Sequence, residues 1–229
     1  MNTIEVKNLI KSFKDGPNVT TVLKGISFTA KQGEFVAIMG RSGAGKSTLL
    51  YQMSLLDEAT SGEILINGKE AHAMSEREKM VFRLEEFGYV FQDYALLPEL
   101  TAIENVSLPL IMQGASRLVA EEKASTALEK VGLGNRLKNL PSQLSGGEQQ
   151  RVSVSRAIAH KPSILFADEP TANLDRESSS RVMNLFKELH KSGQTIIMVT
   201  HEDEYASFAD RILTLDDGKI IKTTSASMV

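Results

Sequence analysis

The sequence predicts an α/β fold in which a mostly parallel β-sheet is covered by helices. Two patterns lead to this prediction. Short β-prone segments alternate with helix-prone segments in the last third of the chain, and a glycine-rich loop joins the apolar segment 35–39 to the helix-prone segment 48–53. Such an alternation is typical of parallel strands connected by crossover helices. With 229 residues, the chain is long enough for one sizeable domain of this kind.

The composition is that of an ordinary globular protein and excludes several function classes. Hydrophobic residues make up 41% and charged residues 24% of the chain. The net charge of −3 is not organised in blocks, so we expect no nucleic-acid partner. The lack of cysteine excludes disulfides and thiolate metal ligands. Because no apolar stretch has the length of a membrane span and the N-terminus lacks a signal-peptide pattern, we expect a cytoplasmic protein.

The secondary structure is predicted from apolar runs and from the glycines and caps that separate them. The predicted strands cover 3–9, 25–31, 34–39, 63–66, 87–91, 164–167, 195–200 and 211–215. The predicted helices cover 48–53, 75–86, 102–112, 119–131, 146–159, 178–191 and 204–209. Because no Pro-rich or Gly/Ser-rich linker divides the chain, we expect a single domain, 1–229, with a helical insertion at about 95–160.

A phosphate-binding loop is the most specific motif of the sequence. The pattern G-x-x-x-x-G-K-[ST] is matched at every fixed position by Gly40, Arg41, Ser42, Gly43, Ala44, Gly45, Lys46 and Ser47, followed by Thr48. The glycines allow backbone N–H groups to surround an anion, and the following helix adds its positive dipole end. Lys46 can then reach the β- and γ-phosphates, and the Ser47 hydroxyl can hold Mg²⁺. The alternative is a strand-to-helix turn that binds nothing, but the complete pattern favours a nucleoside triphosphate.

A second motif separates this chain from other proteins with the same loop. Leu144 is followed by Ser145, Gly146 and Gly147, and the run ends in Glu-Gln-Gln-Arg at 148–151. Ser145 is a favourable N-cap, and the two glycines expose helix N-terminal amides to an anion. The alternative is a capped helix whose polar face is only solvated. This run resembles the signature of the ATP-binding cassette (ABC) family, in which the signature residues, here Ser145, Gly146, Gly147 and Gln149, contact ATP held by another subunit.

The resemblance extends to the residues expected to carry out hydrolysis. The apolar run 163–167 delivers Asp168 and Glu169 at its end, as in the Walker B motif of the family. The resemblance implies that Asp168 orders the Mg²⁺ shell through water and that Glu169 polarises the attacking water. The alternative is a carboxylate pair that ends a strand and faces water. With Glu169 present, the sequence is compatible with hydrolysis.

Four further residues match shorter elements of the family in the expected order. Gln92 corresponds to the Q-loop glutamine, which reaches Mg²⁺ and the attacking water. Asp175 lies at the D-loop position, and His201 matches the switch histidine at the γ-phosphate. Phe13 occupies the position of the aromatic residue that stacks on adenine, where tyrosine is more usual. Alone, each of these would more often be an ordinary surface residue, and Phe13 could be a plain core residue.

The resemblance covers essentially the whole chain and implies a P-loop NTPase fold. The expected parts are a RecA-like core, an antiparallel β lobe and an inserted α-helical subdomain. The segments 83–92 and 96–110 are similar to the branch that contains lipoprotein-releasing and macrolide-efflux ATPases. The implied function is an ATPase subunit that forms a homodimer around two Mg-ATP and drives an integral membrane permease subunit, on the cytoplasmic face of the inner membrane. Export or extraction of a substrate, or mechanotransmission, is the expected task.

Two alternatives remain for the function. One is a non-transport ABC ATPase, although the interval between the loop and the signature is too short for the coiled coils of DNA-repair members. The other is an ATP-switched regulator of cell-wall or division machinery. An apolar loop at 94–98 is compatible with a groove for a short helix of a membrane subunit, or with packing inside the helical subdomain.

Overall fold

The computed structural model describes residues 2–225, so the predicted domain 1–229 extends beyond the described residues at both ends. These residues form two compact units, 2–81 with 192–225 and 82–191. In chain order the elements are β1 (Asn2–Asp15), β2 (Asn18–Lys31), β3 (Phe35–Gly40), α1 (Lys46–Met53), β4 (Ser61–Ile66), β5 (Lys69–Glu70), α2 (Glu76–Glu86), β6 (Phe87–Val90), α3 (Ala102–Met112), α4 (Arg117–Lys130), α5 (Gly146–Ile158), β7 (Ile164–Asp168), α6 (Arg176–Lys191), β8 (Thr195–Val199), α7 (Asp203–Ala206), β9 (Arg211–Asp216) and β10 (Lys219–Ser225).

The first unit contains an antiparallel sheet in which β1 lies between β2 and β4, and β5 pairs with β4. The turn between β4 and β5 is Asn67-Gly68, with φ of 50° and 76°. Two consecutive positive φ values are what a two-residue hairpin turn requires, and Asn and Gly tolerate them best. This part of the chain is the antiparallel β lobe that the sequence predicts.

A second group of strands in the same unit is mostly parallel. Strand β3 pairs in parallel with both β8 and β9, and β10 pairs antiparallel with β9. The residues 35–38 and 195–199 are completely buried or nearly so. Strands buried on both faces are continuous apolar runs, which is why they were predictable. Because β3, β8 and β9 run in the same direction, the residues that follow them meet at one edge of the sheet.

The second unit combines a parallel strand pair with a helical core. Strand β6 pairs with β7 in parallel. The rings of Phe87 and Phe166 contact each other edge to face, with 5.1 Å between the ring centroids. Helices α3, α4 and α5 pack around a cluster of buried apolar side chains, namely Ala102, Val106, Ala124, Ala127, Leu128, Val131, Leu133, Leu144 and Val152. Helix α3 begins at a capping box of Thr101 and Glu104, which satisfies amides at the helix start.

The observed elements confirm most of the sequence prediction, with differences at exposed positions. Helix α3 has the predicted bounds, whereas α7 is shorter than the predicted 204–209. Strand β10 and the outer halves of β1 and β2 lie outside the predicted strands. Strand β10 is mostly exposed and rich in Lys and Thr, so it carries no apolar alternation. Pairing with β9, rather than burial, makes this segment a strand.

Candidate nucleotide-binding and hydrolysis site

Close contacts at Gly40 and Gly45, and positive φ values at Gly43 and Gly45, favour glycine in the phosphate loop. A Cβ atom at Gly40 would lie 2.2 Å from the carbonyl oxygen of Leu215, and one at Gly45 would lie 2.9 Å from a methyl group of Leu23. Gly43 and Gly45 have φ of 79° and 97°, a region that residues with a side chain rarely adopt. The loop is therefore fixed between the end of β3 and the start of α1.

Lys46 lies at the start of α1, directly after the loop. Its ammonium group is buried and donates hydrogen bonds to the carbonyl oxygens of Gly40 and Arg41, at 3.0 and 3.2 Å. No side chain caps the start of α1, whose N-cap is Gly45. A helix start without a side-chain cap and with a lysine beside it is suited to bind an anion, which is the role that the loop pattern predicts.

His201 is brought to the same edge of the sheet as the phosphate loop. The register pairs Ile38 of β3 with Val199 of β8, so Gly40 at the end of β3 and His201 after β8 both lie at the carboxyl ends of neighbouring parallel strands. The amide of Thr200 donates to the carbonyl of Ile38 at 3.2 Å, which extends this pairing toward His201. The histidine side chain is exposed. This position is the one at which α/β sheets bind ligands.

Phe13 lies on β1 in the same unit, and 46% of the residue is exposed. A large aromatic residue with this exposure is not part of the core, so the alternative of a plain core residue does not hold. The ring presents apolar surface to solvent that a planar group could cover.

Asp168 ends strand β7 in the second unit, and Glu169 follows it directly. Asp168 is buried, at a degree of burial that is uncommon for a carboxylate, and Glu169 is half-buried. The backbone of Glu169 has φ of 44°, an uncommon value for a residue other than Gly, Asn or Asp. The pair is therefore not a solvated strand end, because one carboxylate is removed from water and the other is set by a strained backbone.

Gln92 follows β6, the strand parallel to β7, so it reaches the same sheet edge as Asp168 and Glu169. Its side chain is exposed, and its backbone carbonyl accepts a hydrogen bond from Asn173 at 3.1 Å. The fully buried Gln150 of α5 donates to the carbonyls of Pro170, at 2.8 Å, and Phe91, at 3.4 Å. These bonds link helix α5 to the segment that follows β6 and to the residue that directly follows the carboxylate pair.

The signature residues begin helix α5 as predicted. Ser145 is the N-cap and forms a capping box with Glu148, whose carboxylate also accepts from Arg136 at 3.1 Å. The N–H of Ser145 and the Arg136 guanidinium hold the pKa of Glu148 below its ordinary value. The side chain of Gln149 donates to the carbonyl of Leu144 at 3.1 Å. Glu148, Gln149 and Gln150 of this polar face are thus bonded to the protein, so the face is not merely solvated as in the alternative interpretation.

The glycines of the signature allow close approach of other segments in the same unit. A Cβ atom at Gly147 would lie 2.5 Å from the Ser178 hydroxyl, and one at Gly146 would lie 2.8 Å from the Tyr94 hydroxyl. Asp175 accepts hydrogen bonds from the backbone N–H and the hydroxyl of Ser178, at 2.9 and 2.7 Å. Asp175 therefore caps the start of α6, and these bonds lower its pKa.

The apolar loop 94–98 is held in place by α5. Arg156 donates to the carbonyls of Tyr94, at 3.0 Å, and Ala95, and both of these residues have positive φ. The structure places a cavity of about 260 Å³ beside this loop, lined by Gly88, Phe91, Ala95, Leu108, Pro109 and Met112 among others. Of the loop residues, Ala95 lines the cavity, while Leu96 packs on the helical core and Leu97 is largely exposed.

The predicted site residues thus fall into two groups, each collected in one unit. The first holds Phe13, the loop 40–48 and His201, and the second holds Gln92, Asp168, Glu169, Asp175 and the signature at 145–149. Sequence reasoning missed Gln150, Arg156, Asn173 and Ser178, which position the second group. Gln150 and Arg156 carry a weak signal, a polar side chain at a helix position that otherwise faces the core.

Within residues 2–225, no group of three or more His, Cys, Asp or Glu side chains is arranged to hold a metal ion. None of the helices in this part of the chain combines the length and apolar character needed to cross a membrane.

A P-loop between a parallel strand and a helix, with an Asp-Glu pair ending another parallel strand, defines a P-loop NTPase. A family model described as ABC transporter matches residues 23–172, so the chain belongs to the ABC transporter family. It is 45% identical over 216 residues to the lipoprotein-releasing system ATP-binding protein LolD of Aquifex aeolicus, covering 94% of this chain and 93% of that protein.

A second relative and a solved structure support the assignment to this branch and to this fold. The chain is 47% identical, over its full length, to the macrolide export ATP-binding/permease protein MacB of Aggregatibacter actinomycetemcomitans, and it spans 36% of that protein. The ATP-binding cassette MJ0796, solved as a dimer in a post-hydrolysis state bound to ADP and Pi, is 38% identical with a TM-score of 0.91, covering 97% of this chain and 98% of that chain. The protein is therefore an ATP-binding ABC ATPase of the LolD and MacB branch, as the sequence predicts.

Proposed function

We propose that this chain is the ATP-hydrolysing subunit of an export or extraction system, and that it dimerises around two Mg-ATP to drive a membrane subunit. The observation that carries the proposal is the presence of two separate helix starts suited to phosphate, at Lys46 and at Gly146. A dimer in which each ATP contacts the loop of one subunit and the signature of the other uses both. The dimeric form of the cassette MJ0796 supports this arrangement.

ATP is held at the loop 40–48, with Lys46 on the phosphates and Phe13 stacked on the base. The oxygen groups of Ser47, Asp168 and Gln92 suit Mg²⁺, which prefers hard oxygen ligands and is usually bound through one or two carboxylates together with substrate phosphates. Asp168 would hold the ion through water and Ser47 directly. Bound Mg²⁺ supplies charge neutralisation at the phosphates.

The chain's own residues provide the remaining chemistry. Glu169, whose backbone is left-handed directly after β7, accepts a proton from the attacking water. Gln92 and His201 orient the water and the γ-phosphate. The Ser145 hydroxyl and the amides of Gly146 and Gly147 bind the γ-phosphate of the ATP held by the partner subunit, and Asp175 positions this region through α6.

The dimer predicts complementation between two inactive variants. K46A damages the loop and leaves the signature intact, whereas S145R does the reverse. Each should be inactive alone, and an equal mixture should recover about a quarter of the wild-type ATPase rate, because half of the dimers are mixed and each has one intact site. Phosphate release at fixed total protein measures this. S142R, an exposed serine outside the signature, is the control.

A mixture no more active than the sum of its components, from subunits shown to form mixed dimers, would contradict the shared site. Under the same proposal, the wild-type rate should rise faster than linearly with protein concentration where the dimer is scarce.

The membrane subunit is proposed to dock at the cavity beside loop 94–98. The lining is mostly apolar, with Arg156 and His160 among its polar members, and a short amphipathic helix is the occupant that such a groove fits. In MacB an ATP-binding segment and a permease are parts of one protein, which supports a permease as the partner of this chain. The chain would then be held at the cytoplasmic face of the inner membrane through this subunit.

The docking groove is tested by M112E, which places a charge in the lining, against L118E as the matched control. Met112 is 61% exposed and lines the cavity, and Leu118 is 78% exposed but is not among the lining residues. From detergent-solubilised membranes, M112E should recover about tenfold less integral membrane subunit than the wild type, because burying an unpaired charge opposes docking. L118E should recover it normally.

Equal recovery by both variants would place the docking surface elsewhere. Recovery of cell-wall or division proteins without a membrane subunit would favour the regulator over the transporter.

A further inference from the structure

Lys11 lies on β1 two residues before Phe13 and is almost completely buried, with 9% of the residue exposed. Its ammonium nitrogen is 4.8 Å from the centroid of the Phe13 ring, within the range of a cation–π interaction. Because the cation lies against one face of the ring, a planar ligand can stack only on the other face. The exposed ring thus has one occupied and one available side.

The ammonium group is itself held by two strong contacts. Its Nζ donates to the Asp57 carboxylate and to the carbonyl oxygen of Glu58, each at 2.7 Å. The other carboxylate oxygen of Asp57 accepts a hydrogen bond from the side-chain amide nitrogen of Gln52 at 2.8 Å. Burial raises the pKa of Asp57, but hydrogen bonds from Lys11, the Glu58 backbone and Gln52 outweigh it and leave this pKa below its ordinary value. Asp57 is therefore a stable anionic anchor for Lys11 at neutral pH.

The anchor connects the ring with the phosphate loop. Gln52 is fully buried in α1, the helix that begins at Lys46 of the loop. A sequence of direct contacts therefore runs from α1 through Gln52, Asp57 and Lys11 to the ring of Phe13. The two ends of this network are the elements proposed to bind the phosphates and the base.

We propose that Lys11 is a positioning residue for the nucleotide base, holding the Phe13 ring at a fixed place relative to the phosphate loop. The proposal rests on the proposed stacking of the base on Phe13. An exposed phenylalanine has rotamer freedom that stacking must remove, and a ring fixed in advance loses less entropy on binding. A buried ion pair can often be replaced by apolar residues without loss of stability. What Lys11 contributes beyond an apolar residue at the same place is therefore the fixed position of the Phe13 ring.

The test compares a nucleotide with a ligand that has no base. Affinities for the Mg²⁺ complexes of a non-hydrolysable ATP analogue and of inorganic triphosphate are measured by calorimetry for the wild type, K11M, K11R and F13L. We expect K11M to bind the analogue about three- to tenfold more weakly, with unchanged affinity for triphosphate. K11R keeps a cation at the ring and should retain most of the preference for the analogue.

A second readout follows the ring directly. The chain contains no tryptophan, so F13W introduces a single indole at this position. Without nucleotide, adding K11M to F13W should lower the fluorescence anisotropy of the indole, because the ring moves more freely. Unchanged anisotropy would overturn the proposal.

The outcomes separate this proposal from the one on which it rests. If F13L leaves the affinity for the ATP analogue unchanged, base stacking on Phe13 fails and the role of Lys11 fails with it. If F13L weakens binding but K11M does not, only the role of Lys11 is overturned. Equal loss of both ligands in K11M would show a general structural role and also overturn it. If thermal melting shows that K11M does not fold, K11Q replaces it under the same criteria.

Discussion

Replacing Glu169 by Gln should slow ATP hydrolysis by about two to four orders of magnitude, the contribution typical of a positioned general base. The amide has nearly the same shape as the carboxylate but cannot accept the proton of the attacking water. The half-buried side chain on its left-handed backbone should keep its place, because the substitution changes no backbone requirement. Steady-state phosphate release and single-turnover rates measure the effect.

The same variant should also form a stable dimer in the presence of Mg-ATP. Each ATP is proposed to contact both subunits, and hydrolysis removes the contact, so a slow enzyme remains closed. Gel filtration with and without Mg-ATP should show E169Q moving to the dimer mass only with nucleotide. E188Q changes an exposed glutamate of α6 that pairs with Lys191, and it should behave as the wild type.

Two results would change the assignment of Glu169. Hydrolysis at the wild-type rate would place the base elsewhere, with His201 as the next candidate. Slow hydrolysis by a variant that remains monomeric with ATP would retain the chemistry and reject the stable dimer.

Lys46→Ala should weaken ATP binding by about ten- to a hundredfold, since hydrogen bonds to charged groups contribute about 1.5–3 kcal/mol. Turnover should fall to background. Lys46 donates to the carbonyls of Gly40 and Arg41, which keep the ammonium at the loop where the phosphates are proposed to bind. Removing it leaves the phosphates without the cation at the start of α1. Calorimetry with Mg-ATP and phosphate release measure the two effects.

The control for K46A is K191A, which removes an exposed lysine of α6 and should leave binding and turnover unchanged. Thermal melting without ligand should show that K46A is folded, because the two carbonyls that lose their donor belong to a loop that water can reach. A folded K46A that hydrolyses ATP at the wild-type rate would show that the loop is not the site.

The chemistry-bearing residues could be identified from the sequence because each belongs to a local pattern. The loop 40–48 joins a buried strand to a helix, Ser145 caps a helix with Glu148 at its third position, and Asp168 and Glu169 end an apolar run. Local patterns reflect backbone geometry within a few residues, and this information is present in the chain itself. The family and the fold class follow from these motifs.

Contacts between distant segments could not be predicted in this way. In the sequence, Lys11 is only one charged residue within a strand. Its cation–π contact with Phe13 depends on the hydrogen bond to Asp57, which is 46 residues away. Arg156 fixes Tyr94 and Ala95 across 62 and 61 residues. Such partners are chosen by the packing of strands and helices, because hydrogen-bond distance between remote segments is set only when the chain has folded.

The sequence by itself therefore determined the class of the protein, its candidate catalytic residues and most of its elements. Only the tertiary structure decided which contacts between distant segments fix the site residues in place. These are the close approach of Gly40 to Leu215, the hydrogen bonds of Gln150 next to the carboxylate pair, and the ion pair that anchors Lys11 beside Phe13. The physical reason is that backbone pattern and capping are local, whereas burial, and the hydrogen bonds that make a buried polar group tolerable, depend on segments far apart in the chain.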